Sequence, residues 1–132
     1  MNYWAVLVAA LSSMVVGTLW YGPVFGKAWM RMTGLTKESM KTMALKPAQA
    51  MGLGLVNSLI MAYVLGYFAS ALGAAGVVEA LVLAFWIWIG FVASAQISGF
   101  LWEGKSFTLF LLNTSYSLVT YGIMAAILVL WK

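Results

Sequence analysis

The sequence predicts an all-α integral membrane protein, a four-helix bundle in the bilayer. Three observations carry that expectation. Of 132 residues, 64% are hydrophobic and 8% charged. The mean hydropathy is +1.00. The apolar residues also gather into four runs, each near the ~20 residues that a helix needs to cross a hydrocarbon core. An ordinary soluble domain is about 45–50% apolar and about 25% charged, so a water-soluble monomer is excluded. Backbone groups in lipid must be satisfied within the segment, and the polar alternation of a β-barrel strand is absent, so the runs are helices. We expect a single transmembrane domain over residues 1–132.

The first run covers about residues 3–22. It lacks a basic leading region and a small-residue cleavage pattern and is long for a signal core, so it reads as a span. The second covers about 48–72, the third about 77–102 and the fourth about 107–131. Lys27, Arg31, Lys37, Lys41 and Lys46 lie between the first two spans and Lys105 between the last two, leaving Lys132 alone on the other side. Under the positive-inside rule this bias puts the 27–47 connection in the cytoplasm and both termini outside, in a plasma membrane such as the bacterial inner membrane. Trp4, Tyr63, Tyr67 and Trp131 then fall at the outer headgroup level, and Trp20, Tyr21, Trp29 and Trp102 at the inner one. The net charge of +4 is explained by that topology and by anionic lipid headgroups meeting the cytoplasmic loop. No basic stripe with interleaved aromatics points to nucleic acid.

Residues 27–47 form the one sizeable polar stretch. Gly34 reads as a break, Thr36 as an N-cap with Glu38 in the first turn, and Pro47 as the stop of this helix or the start of the next. Met40, Met43 and Ala44 would share one face and Lys37 and Lys41 another, as in an amphipathic helix on the inner leaflet. Met30, Met32, Met40 and Met43 could hold Cu(I) through thioethers, but methionine is ordinary apolar filler at such a surface. No metal or other cofactor is expected. The chain has neither histidine nor cysteine, which removes imidazole and thiolate sites, disulfides and Ser-His or Cys-His nucleophiles.

No charged residue lies near the middle of a span. Proton-coupled antiport of the kind run by small four-span drug exporters needs a first-span carboxylate, and here that span offers Ser12, Ser13 and Thr18. The intramembrane polar groups are neutral: Asn57 in the second span, Ser94 and Gln96 in the third, Asn113 and Ser117 in the fourth. Two readings stand. These side chains bond helix to helix, or Asn57, Gln96 and Asn113 converge on a cytoplasm-facing pocket or path. Small residues four apart (Ala9, Ser13, Gly17; Gly90, Ser94, Ser98) make flat faces that favour a homo-oligomer. GTLWYG at 17–22 and GFLWEG at 99–104 close the first and third spans in parallel, and a parallel 2+2 helix repeat would explain them.

The stretch GTLWYGPVFGKAWM at 17–30 resembles the signature of domain-of-unknown-function family 1761, small multi-span membrane proteins. The LWEGK turn and the start of the last span, from Asn113 to Tyr116, continue the likeness more loosely. The resemblance implies a membrane protein and supplies no activity. Read physically, Trp20 and Tyr21 anchor the helix exit, Gly22 and Pro23 turn the chain, and Gly26 provides a conformation closed to other residues. Lys27, Arg31 and Trp29 would then offer charge and a ring face to a headgroup. The expected function is a non-enzymatic oligomeric module that binds lipid or a membrane partner, with an uncoupled transporter or channel as the alternative.

Overall fold

A computed structural model describes residues 2–42 and 45–132, apart from the side chains of Lys37 and Met40. Four helices are long and apolar enough to cross a membrane: α1 (Tyr3–Val24), α4 (Pro47–Ala71), α5 (Gly76–Trp102) and α6 (Phe107–Leu130). Two short ones, α2 (Gly26–Thr33) and α3 (Lys37–Lys41), lie in the first connection. No strand occurs among the described residues. Between 17% and 33% of each spanning segment is buried inside the chain. Much of the rest is exposed large apolar side chain, among them Trp4, Ile60, Phe91 and Leu130, a surface suited to lipid or another membrane helix.

Local sequence explains the helix ends. Asn2 caps α1 by accepting from Trp4 N at 2.9 Å. Thr36 caps α3 as expected, accepting from Ser39 N at 3.1 Å. Pro47 starts α4, at the position where a missing N–H costs nothing. Glu79 reaches back to take the Ala75 N–H at 2.6 Å, and Ser106 accepts from Leu109 N at 3.1 Å. Gly34, Gly73, Gly76 and Gly104 supply left-handed residues in the links. Of the amphipathic face expected over Met40, Met43 and Ala44, Met43 and Ala44 and the Met40 side chain lie outside the described residues.

Two features of the first exit depart from the sequence reading. Gly22 and Pro23 do not turn the chain; the helix runs on through them as a π-helical turn, Trp20–Val24, and breaks at Phe25. Pro23 has no N–H and its ring would strike the carbonyl four residues back. Widening the turn relieves that clash, and the Phe25 N–H bonds Trp20 O at 2.8 Å. Gly26 is needed for closeness rather than for an unusual φ, since a Cβ there would sit 2.8 Å from the backbone oxygen of Tyr21. A second π turn, Trp88–Ala93, interrupts α5 with no proline to announce it.

The fourth span is the centre of the bundle. α6 packs on α1, α4 and α5, and α1 also packs on α4, whereas α5 leans on α6 and makes no substantial contact with α1 or α4. The motifs that suggested a repeat meet unlike surroundings. Trp20 is half-buried against α6, but Trp102 is 85% exposed. The core lies at one end, where Ala5, Ala9 and Ala10 of α1, Ala62 and Ala69 of α4, Ala80 and Ala84 of α5 and Met124 and Ala125 of α6 interlock. Lys132 Nζ donates to Ala74 O at 2.9 Å across that end.

Candidate functional site

Toward the opposite end the helices part around an open cavity of about 1630 Å³. This is the end that carries α2, α3 and most of the lysines. Met14, Thr18 and Tyr21 of α1 form one wall, with Trp29 and Met32 of α2 beneath. The back is α6, through Leu109, Phe110, Asn113, Tyr116 and Ser117. Ala50 and Met51 of α4 and Gln96, Gly99 and Phe100 of α5 flank the opening, where α4 and α5 fail to meet.

A run of polar contacts marks the floor of this vestibule. Ser13 Oγ donates to Ser58 Oγ at 2.9 Å and Tyr116 Oη to the Ser13 carbonyl at 3.3 Å. Gly17 makes room for that phenol, because a Cβ there would lie 3.0 Å from Tyr116 Oη. One level toward the mouth, Tyr21 Oη donates to Asn113 Oδ1 at 2.7 Å. That bond uses the amide's oxygen, and Asn113 lines the cavity. Ser117 Oγ donates to Asn113 O at 3.2 Å. Gln96 is exposed at the side of the opening and has no side-chain partner among the described residues. Tyr21 meets Trp29 at 5.5 Å and Tyr116 at 5.2 Å, edge-on in both cases, so three rings stand along one wall. At the mouth Glu103 and Lys105, both exposed, lie 3.9 Å apart.

The structure divides the residues singled out in the sequence. Gln96, Asn113 and Ser117 come together in the vestibule with Tyr21 and Trp29. Asn57 does not join them; it is exposed on α4, and its amide reaches Met61 Sδ at 3.6 Å. Ser94 is also outside the cavity, its hydroxyl donating to Gly90 O. Trp20 turns toward α6 and donates its indole N–H to Leu112 O at 3.1 Å, while Gly22 and Pro23 are exposed. Lys27 and Arg31 are exposed and do not line the cavity, and Gly26 is buried behind Tyr21. The small faces part likewise: Ala9 and Ser13 are buried within the chain, and Gly90, Ser94 and Ser98 are exposed.

Tyr116 and Phe110 were not singled out. On a helix that is apolar all round, an aromatic residue carries no mark of facing a cavity rather than lipid. No group of three or more acidic residues is placed to hold a metal ion among the described residues. A family model described as a protein of unknown function (DUF1761) matches residues 4–129. No curated protein and no solved structure matches the chain.

Proposed function

The chain belongs to the DUF1761 family, and from that premise we propose that it is a non-catalytic membrane protein whose vestibule binds a phospholipid headgroup. One observation carries the reading. A cavity of about 1630 Å³ opens beside the gap between α4 and α5, so a ligand can enter from the bilayer without first dissolving in water. Its lining is what such a headgroup requires. Lys105 at the mouth suits a phosphate, the amides of Asn113 and Gln96 suit ester carbonyls and hydroxyls, and Met14, Leu109 and Phe110 suit the first carbons of the chains. We place this end in the cytoplasm of a bacterial inner membrane, with both termini outside, on the distribution of lysines.

A transporter or channel is the competing proposal. The alanine-packed core beyond Ser13 and Ser58 weighs against it, because Ala9, Ala62, Ala80 and Met124 are fully buried across that end. An enzyme is disfavoured by the scarcity of groups able to move protons within the cavity. The test is lipid retention. Purified in mild detergent, the protein should carry phospholipid visible by native mass spectrometry. Asn113→Leu should lose it several-fold while keeping its helical circular dichroism. Equal retention by the two proteins would sink the reading. Solute flux into proteoliposomes that depends on Asn113 would replace it with the transport one.

A further inference from the structure

Of the three amides placed well inside the spans, Asn57 is the one the vestibule leaves out. It lies ten residues beyond Pro47 on α4, ~15 Å along the axis, and so near the middle of a hydrocarbon core of ~30 Å. Its neighbour Ser58 turns inward to Ser13, so Asn57 must turn outward, and it is exposed. Thioether sulfur is a weak acceptor, and Met61 Sδ at 3.6 Å leaves the Asn57 oxygen and a second N–H unmatched among the described residues. Lipid tails offer no partner, and an unmatched amide at that depth costs several kcal/mol in hydrocarbon. One helical row through it, Leu53, Ile60 and Val64, is exposed and apolar.

We infer that a second copy of this chain covers this row, α4 lying parallel on α4 about a two-fold axis along the membrane normal, with the two Asn57 amides bonded to each other. All copies insert the same way, so residue 57 of each lies at the same depth, and only an axis along the normal relates them. A carboxamide carries both donor and acceptor and is its own complement, so one substitution-free surface satisfies both chains. A different partner would need an amide or hydroxyl at that same level. The pairing uses the face of α4 away from α1 and α6 and is independent of what the vestibule binds.

The chain contains no cysteine, so single-cysteine variants report without background. In lipid vesicles, Leu53→Cys and Ile60→Cys, which keep Asn57, should form disulfide-linked dimers on mild oxidation. Val82→Cys, on the lipid face of α5, should not. By fluorescence energy transfer between labelled copies, Asn57→Leu should weaken the dimer about tenfold, as expected for two lost interhelical bonds, and Asn57→Gln should restore most of it. Leucine suits a lipid-facing site, so the variant should fold. A monomeric unmodified protein in dilute vesicles, equal cross-linking at Val82, or an Asn57→Leu dimer of undiminished strength would each overturn the proposal.

Discussion

The two ends of the bundle are built from residues of opposite size. At the closed end, alanines at 5, 9, 62, 69, 80, 84 and 125 are all but fully buried and let backbones approach closely. At the open end, Tyr21 of α1, Trp29 of α2 and Phe110 and Tyr116 of α6 line the cavity with large rings. Lipid gives helices no hydrophobic reason to associate, so small residues and a few hydrogen bonds must supply the adhesion. The contrast teaches that adhesion can be concentrated at one end, leaving the other free to keep an open, ring-lined space.

Substitutions can break that contrast or sharpen it. The largest effect is expected where space is least. Ala62→Leu adds three carbons at a fully buried position and should lower stability by ~1–3 kcal/mol, read as a fall in thermal midpoint in detergent. Gly26→Ala drives a methyl into the Tyr21 carbonyl and should cost ~1–2 kcal/mol, shifting α2 away from the vestibule wall. Thr120 tests the middle of the bundle. Its hydroxyl is buried with no partner, so the isosteric Thr120→Val should stabilise by ~0.5–1 kcal/mol, and a loss of that size would reveal an unseen bond. Trp20→Phe removes the indole bond to Leu112 O and should cost ~0.6 kcal/mol, whereas Trp102→Phe should change nothing measurable. Asn113→Leu at the open end should move the thermal midpoint by less than Ala62→Leu does, because water can replace the amide as partner to Tyr21.

Much of this architecture was legible in the residues. Continuous apolar runs gave the four spans to within two residues, and Thr36, Gly34 and Pro47 marked the breaks in the first connection. Rotation about each axis was not legible. A spanning helix is apolar on the side facing lipid and on the side facing its neighbours, so no stripe separates the two. That is why Asn57, Gln96 and Asn113 read alike in the sequence, although only the last two share a cavity. The π turn at Pro23 had a local cause that could have been weighed, since a proline followed three residues later by glycine leaves room for a wide turn. The π turn at Trp88 had none, because its setting is a long-range bond from the Trp88 indole to Thr114 O at 2.8 Å.

That bond has a counterpart on the other flank. Trp20 donates to Leu112 O, and two residues along a helix are roughly 200° around it, so the paired indoles grip the central helix from nearly opposite sides. Like guy-lines on a mast, they stop α6 from rolling. Asn113, the residue between the two carbonyls, is therefore fixed in its rotation about the helix axis.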